Sequence, residues 1–288
     1  MGTLYLVSTP IGNLGDLSRR ATEVLGGVSR ILAEDTRRTR PLLTHLGLST
    51  PMVSFHAHNE TARRDAILAW LADGEDVAMV SDAGTPLVSD PGERLVDAVL
   101  SAGYPVVPIP GPSAILAALV ASGLPSHRFT FLGFLPRKGA ERRDLLDRIA
   151  SAPETTVLFE SPERLLRLLE DLGEMSAPGR RGAVCRELTK LHEEFVRGTL
   201  EEIKAHFTES PPRGEITLVL EPAGDAPGGS EVDSAAAAAL AEALLKDGQS
   251  PSRAAKEVAR RLKVPRNEAY EIVQELNRTR EGGESDAS

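Results

Sequence analysis

VAMVSDAGTPLVSDPGERLVDAVLSAGYPVVPIPGPSA, residues 77–114, holds the pattern that decides the fold. Val77–Val80 is a short apolar run that stops at Ser81-Asp82-Ala83-Gly84-Thr85-Pro86. Glu93–Leu100 then sets apolar residues at helical spacing, and Gly103 ends it. Val106–Ile109 is a second apolar run, stopped by Pro110-Gly111-Pro112-Ser113-Ala114. Runs this short suit strands, and one amphipathic helix lies between them. The stretch therefore reads as a strand–helix–strand unit with parallel strands, each strand ending in a Gly- and Pro-rich loop.

The same alternation extends toward the N-terminus. Strands are predicted at Thr3–Ser8, Ile31–Ala33 and Met52–His56. Helices are predicted after Ser18, a good N-cap, over Thr36–Leu46 with a basic face, and after Asn59, where Ala66, Ile67, Trp70 and Leu71 share a stripe. Repeated units of this kind imply an α/β fold with a mostly parallel sheet. Beyond Gly123-Leu124-Pro125 the strand content rises: Phe129–Leu135, Thr156–Glu160, Ala183–Leu188, Glu194–Arg197 and Ile216–Leu220, with helices at Glu141–Ala150, Glu163–Leu172 and Leu200–Thr208. This predicts a second α/β domain with antiparallel pairs. The expected organisation is a first domain over 1–122, a second over 123–223, a flexible linker over 224–231, a helical domain over 232–280 and a disordered tail over 281–288. In the helical part, Ser252 is expected to cap RAAKEVARRL. Ala255, Val258, Ala259 and Leu262 would then face Ala269, Ile272, Val273 and Leu276 of a second helix, Arg266–Asn277, in a helix-turn-helix shape.

Composition sets outer limits. The 288 residues are 41% hydrophobic and 26% charged, an ordinary globular balance. No apolar run approaches the ~18 residues of a membrane span, and MGTLYLVSTPIGN lacks the basic start and long apolar stretch of a signal peptide. The single cysteine, Cys185, lies in the apolar run AVC and reads as a buried small hydrophobe that suits a reducing cytosol. His56-Ala57-His58 is the one close histidine pair, and on a strand the two would share a face, but without a third ligand no metal is expected. The net charge of −9 argues against general nucleic-acid affinity. It is unevenly spread: residues 248–280 carry eight Lys/Arg against four Asp/Glu, a net +4, which leaves −13 in the remainder.

Four strand-end loops carry the candidate chemistry. They are Ser8–Asp16, Ala33–Thr39, Ser81–Pro86 and Pro110–Ala114. Ligands of open parallel sheets bind beyond the carboxyl ends of the strands. Gly12, Gly84 and Gly111 are expected to let backbone approach a ligand, while Pro10, Pro86, Pro110 and Pro112 fix the loop shapes. Ser113 would bring a hydroxyl and a helix N-terminus to the cleft, suited to a carboxylate or phosphate. Neither a dinucleotide fingerprint nor a Walker loop is present.

The segments STPIGNLGD, AEDTRRTRPLL, SFHAHNE, VSDAGTPLVSDPG, PIPGPSA, FLGFLPRKG, LFESPERL, CRELTKLHEEFVRG and GEITLVLE run in order from about Leu4 to Glu221. On these segments the chain resembles the tetrapyrrole methylase superfamily, and within it the ribosomal-RNA branch of 16S rRNA cytidine-2′-O-methyltransferases. The resemblance implies two α/β domains with S-adenosylmethionine in the cleft between them, usually in a cytoplasmic homodimer. It implies methyl transfer to the ribose 2′-hydroxyl of a cytidine in the decoding centre of small-subunit 16S rRNA. Carried over by position, Asp82, Ala83, Gly84 and Thr85 surround the cofactor, Ser113 and Ala114 contact its amino acid part, Pro10 flanks the cleft, and Phe159 and Gly214 cover the adenosyl group. The first and third loops, TPIGN and SDAGTP, depart from the G-x-G-P-G and G-D-P patterns of tetrapyrrole methylases.

A ribose hydroxyl is a poor nucleophile, so a base or charge stabiliser should assist it. The candidates are Glu34, Asp35, Glu160, Arg186 and Glu187, with Lys190 beside the last pair. Arg37, Arg38, Arg137 and Lys138 are candidate phosphate contacts, as are Arg142-Arg143 and, in the basic C-terminal segment, Arg253, Lys256, Arg260, Lys263 and Arg266. Two other readings stay open at this point: a tetrapyrrole methyltransferase, and a ligand-sensing helix-turn-helix protein.

Overall fold

The computed structural model describes residues 1–223, 234–247, 249–262, 269–270 and 272–276. They divide into two units, Met1–Met175 with Gly179–Pro222, and Ser176–Pro178 with the chain from Ala223 onward. The expected linker 224–231 and tail 281–288 lie outside the described residues.

The first unit contains two five-stranded sheets. One joins β1 (Leu4–Val7), β2 (Arg30–Ala33), β3 (Met52–Ser54), β4 (Val77–Val80) and β5 (Val106–Ile109) in the order β3-β2-β4-β1-β5. Every pairing in it is parallel. The helices between its strands are α1 (Arg19–Gly27), α2 (Thr36–His45), α3 (Glu60–Ala72) and α4 (Glu93–Ser101). Leu4, Leu32, Val77 and Met79 pack with Ile67, Leu71, Leu95 and Val99 of α3 and α4. Val7, Ile31, Ala78 and Val80 pack with Ala21 and Leu25 of α1 and with Leu43 of α2. Both faces of the sheet are therefore covered. All four residues of β4 are buried, which is why that run is continuously apolar rather than alternating.

The second sheet joins β6 (Phe129–Phe134), β7 (Thr155–Glu160), β8 (Arg181–Arg186), β9 (Glu194–Thr199) and β10 (Ile216–Leu220) in the order β6-β7-β10-β8-β9. Only β6 and β7 run parallel; the other pairs are antiparallel, as the sequence predicts. Alternate residues face opposite ways. Leu158, Val184 and Leu218 pack on α6 (Ala140–Ala150), α7 (Pro162–Met175) and α8 (Leu200–Glu209). Val157, Ala183, Cys185 and Val219 face Ala118 and Leu119 of α5 (Ala114–Ser122). The helix that closes residues 1–122 thus packs on the second sheet. Its Ala118–Leu119 face covers that sheet, while Leu116 and Val120 on the opposite side stay exposed. Burial pushes the Cys185 thiol up to about 12, so it serves as a core residue.

Local signals explain most ends, with corrections. Ser18 caps α1 by accepting the Ala21 N–H at 3.1 Å. Thr199 and Glu202 form a reciprocal capping box on α8. Asn59 occupies the cap position of α3 but does not bond the helix. Its amide turns back, accepting from the His56 N–H at 2.9 Å and donating to the Ser54 carbonyl at 3.1 Å. That bracing ends β3 at Ser54, so His56 and His58 lie past the strand, with their rings edge to face at 5.9 Å. Among the described residues no group of His, Cys, Asp and Glu is arranged to hold a metal, and no helix is long and apolar enough to cross a membrane.

The second unit holds α9 (Ser234–Lys246) and α10 (Pro251–Leu262), with residues 269–270 and 272–276 also helical. Ala237, Ala241, Leu244 and Leu245 pack with Ala255, Val258, Ala269 and Val273. Two expectations change here. The α10 helix starts at Pro251, with the Ser250 carbonyl accepting the first bonds, so Ser252 lies inside it rather than capping it. Proline fits that first position because its missing N–H has no helical partner to lose. Leu262 is 40% exposed and stays out of the small core.

Candidate functional site

The carboxyl ends of β1, β2, β4 and β5 open on one edge, and their loops are tied together there. Thr9 and Gly84 form a two-bond bridge, 2.9 Å from the Thr9 N–H and 3.0 Å from the Gly84 N–H. The Thr9 hydroxyl donates to the Ser81 carbonyl at 3.2 Å, and the Ser81 hydroxyl to the Gly84 carbonyl at 3.2 Å. The second loop joins through Asp82, whose carboxylate accepts the Asp35 N–H at 3.1 Å and meets Arg38 at 3.5 Å. A cavity of 180 Å³ lies among them, lined chiefly by Thr9, Pro10, Arg38, Thr39, Ser81 and Asp82.

The loop glycines sit where backbone passes close to other segments of the protein. Gly84 has φ +83°, a conformation costly to a residue with a Cβ, and an added Cβ would sit 3.3 Å from Ile11. An added Cβ at Gly111 would lie 2.9 Å from that of Ser8, and one at Gly12 would overlap Lys190. Each glycine lets one protein segment approach another. The Gly12 contact sets the first loop against residues 188–190, just past β8. Likewise Ser89, just past the third loop, lies against Gly133, at the bulge in β6. The strand ends of the two sheets therefore meet around one cleft. Leu87 and Ser89 hold left-handed backbone, with φ 75° and 68°, beside this contact. Two non-glycine residues so strained within three positions suggest a loop constrained for function.

Two carboxyls at this edge are held above their ordinary range. Burial raises Glu34, and the neighbouring Asp82 adds to it. Asp90 is raised to about 6, by burial first and then by the charge of Glu34, against the opposing pull of a Ser81 hydrogen bond. Asp90 was not among the expected residues. Its Ser89-Asp90-Pro91-Gly92 context reads as a turn, and nothing along the chain signals that Glu34 lies across from it.

The other expected site residues divide. Asp35 caps α2, accepting the Arg37 N–H at 2.9 Å, and the Arg37 guanidinium holds its carboxyl down at about 2. It is a poor proton acceptor. Glu160 is buried on the helix-facing side of β7. Its carboxylate takes the Ser161 N–H at 2.8 Å and the Arg164 guanidinium at 2.9 Å. It is a structural anion turned away from the cleft. Glu187 accepts from Lys190 at 2.9 Å and from the Glu215 N–H at 3.0 Å, while Arg186 is paired with Glu194. With Gly214 and His192, Arg186 and Glu187 line a separate cavity of 240 Å³. Gly214, at φ +81°, leaves room for the Glu187 carboxylate. Phe159 is half-buried, with Phe131 at 4.9 Å and the exposed Phe134 at 5.5 Å. Ser113 caps α5 through the Leu116 N–H at 3.4 Å, and Ala83 and Thr85 are exposed. Lys256, Arg260, Lys263 and Arg266 lie outside the described side chains; Arg253 is exposed on α10.

Residues 3–204 match the family model described as Tetrapyrrole (Corrin/Porphyrin) Methylases. The chain belongs to this family. Among tetrapyrrole methylase structures, cobalt precorrin-4 methyltransferase aligns with a TM-score of 0.59 at 15% identity, covering 76% of this chain and 94% of that one. A uroporphyrin-III C-methyltransferase from Thermus thermophilus, complexed with S-adenosyl homocysteine, aligns at 0.55 and 22% identity over 76% and 97%. These likenesses establish the two-sheet fold of the family. Similarity in sequence is greater to proteins named Ribosomal RNA small subunit methyltransferase I. The one from Synechocystis is 46% identical over 96% of this chain and 99% of its own, and that of Bacillus subtilis 40% over 94% of each.

Proposed function

We propose that this methylase transfers the methyl group of S-adenosylmethionine to the ribose 2′-hydroxyl of a cytidine in the decoding centre of small-subunit 16S rRNA. The observation that carries the RNA reading is the near full-length similarity to proteins named Ribosomal RNA small subunit methyltransferase I, and the cytidine ribose as acceptor is what the resemblance of the loop segments implies. The loop chemistry fits the cofactor. The N-terminus of α5 and the Ser113 hydroxyl suit its carboxylate. The exposed backbone of Ala83 and Thr85 and the exposed face of Pro10 offer close contact, with Phe159 of β7 and Gly214, in the loop before β10, as the adenosyl cover. Asp82, Glu34 and Asp90 supply the negative surroundings that a sulfonium tolerates. When bound, the cofactor supplies a methyl group activated by positive sulfur. The protein's task is then to align the hydroxyl, exclude water and take a proton. Asp90, raised to about 6, is suited to the last role, because a base works best with a pKa near the operating pH, and Glu34 is shifted in the same upward direction beside it. Arg38 borders the loop cavity and Arg37 stands exposed one residue before it; both are suited to a neighbouring phosphate. The reading makes the protein a cytoplasmic one, acting as a homodimer.

The test is methyl transfer from labelled S-adenosylmethionine to purified small subunits, followed by mass spectrometry of nucleosides from digested RNA. The expected result is one methyl on the ribose of cytidine. A methyl that stays with the released base overturns the acceptor, and transfer to a tetrapyrrole with none to RNA overturns the substrate class.

A further inference from the structure

A second hollow, of 350 Å³, lies between the N-terminal half of α6 and the C-terminal half of α7. Its charged lining is Lys138, Arg142, Arg143 and Arg167 against Asp171 and Glu174. One pair is already spent. The Arg142 side chain is buried and bonds Asp171 at 2.5 Å and the Pro136 carbonyl at 3.3 Å. Three cations then face the single carboxylate of Glu174, and none of the three has an ion pair among the described residues. All three are exposed. At the head of α6, Gly139 offers no side chain to cap the first turn, so free N–H groups add to the positive field. Three cations around one carboxylate leave this concave place net positive, a local excess in a chain of net charge −9 that an anion would complete. The segment 135–139 that carries Lys138 continues directly from β6, whose last residue Phe134 packs on Phe159 beside the cleft.

We infer that this hollow seats a backbone phosphate of the RNA substrate, held by Lys138, Arg143 and Arg167. It rests on the proposed methyl transfer to RNA and adds to it a positioning contact outside the cleft. A phosphodiester is recognised here by charge alone, so the contact orients the strand without reading its sequence.

Binding of the full-length protein to small subunits, with S-adenosylhomocysteine present, is measured over a series of potassium chloride concentrations. The triple variant K138Q/R143Q/R167Q is expected to flatten the slope of log affinity against log salt by roughly 1, and to bind about tenfold more weakly near 0.1 M salt. Its affinity for S-adenosylhomocysteine and its melting temperature are expected to match the wild type. The control R63Q/R94Q removes two exposed cations of α3 and α4 and is expected to leave the slope unchanged. An unaltered slope in the triple variant overturns the inference. An equal flattening in the control also overturns it, because a diffuse field would then account for both. Wild-type protein that neither binds nor methylates subunits fails the underlying reading itself, and the inference falls with it.

Discussion

Asp90 shows what a single residue contributes beyond its place in the chain. Folding raises its pKa from the ordinary 3.8 to about 6. The folded state therefore favours the protonated carboxyl. That preference is fully present below pH 3.8 and is lost as pH rises through 6, where the charge must be carried half-buried beside Glu34. Asp90→Asn removes the charge and keeps the shape. The variant should equal the wild type in melting temperature near pH 4 and exceed it near pH 7.5, by on the order of 1 kcal/mol once solvent screening is allowed for. Methyl transfer should fall at least about tenfold in the same variant if the carboxylate takes the proton. A melting-temperature difference that does not change with pH removes the buried-charge account. Little of this is legible in the chain. Glu34 and Glu160 both look like acids at strand ends, yet one faces the cleft and the other an arginine on α7. Which face a strand-end residue takes depends on where the strand stops, and that is fixed by tertiary bonds such as those of Arg164.

At the scale of elements, the glycines separate two physical roles that look alike in a sequence. Gly84 stands in left-handed backbone within the bridge between the first and third loops. Gly27 ends α1 with open space where a Cβ would go. Gly84→Ala should lower stability by about 1–2 kcal/mol, because an L-residue resists positive φ. Gly27→Ala should raise it by about 0.5–1 kcal/mol through helix propensity. Urea melts of the two variants, read at constant m-value, check both; a neutral Gly84→Ala would mean the loop relaxes and the bridge is not rigid. The elements themselves are legible, because apolar spacing reports which residues seek a core. The partner of an element is not. The α5 helix is almost wholly apolar, so its spacing names no preferred face, and only the structure reveals that Ala118 and Leu119 cover Val157 and Val219.

Over the whole molecule, the alternation of strands and helices gives the two-sheet α/β class, while the strand orders β3-β2-β4-β1-β5 and β6-β7-β10-β8-β9 follow from long-range pairing that periodicity does not encode. The matched loops all precede residue 222, and the cores behind them are built within the first unit. The second unit has a separate small core of Ala237, Leu244, Val258 and Val273, which buries most of the apolar stripe of its helices but leaves Leu262 out. Its charge is what remains to be used. Residues 248–280 are net +4 in a chain of −9, and Arg253 stands exposed on α10. Such a segment is suited to docking on ribosomal RNA through phosphates. Ending the chain at Pro222 should therefore leave S-adenosylmethionine affinity by calorimetry within about twofold of the full-length protein, a free-energy change of roughly 0.4 kcal/mol. The same truncation should weaken binding to small subunits and flatten its salt dependence, since every phosphate that the protein no longer neutralises takes a little under one unit from the slope. Truncated protein that binds and methylates subunits as well as the full chain at every salt concentration would assign the C-terminal helices to packing alone.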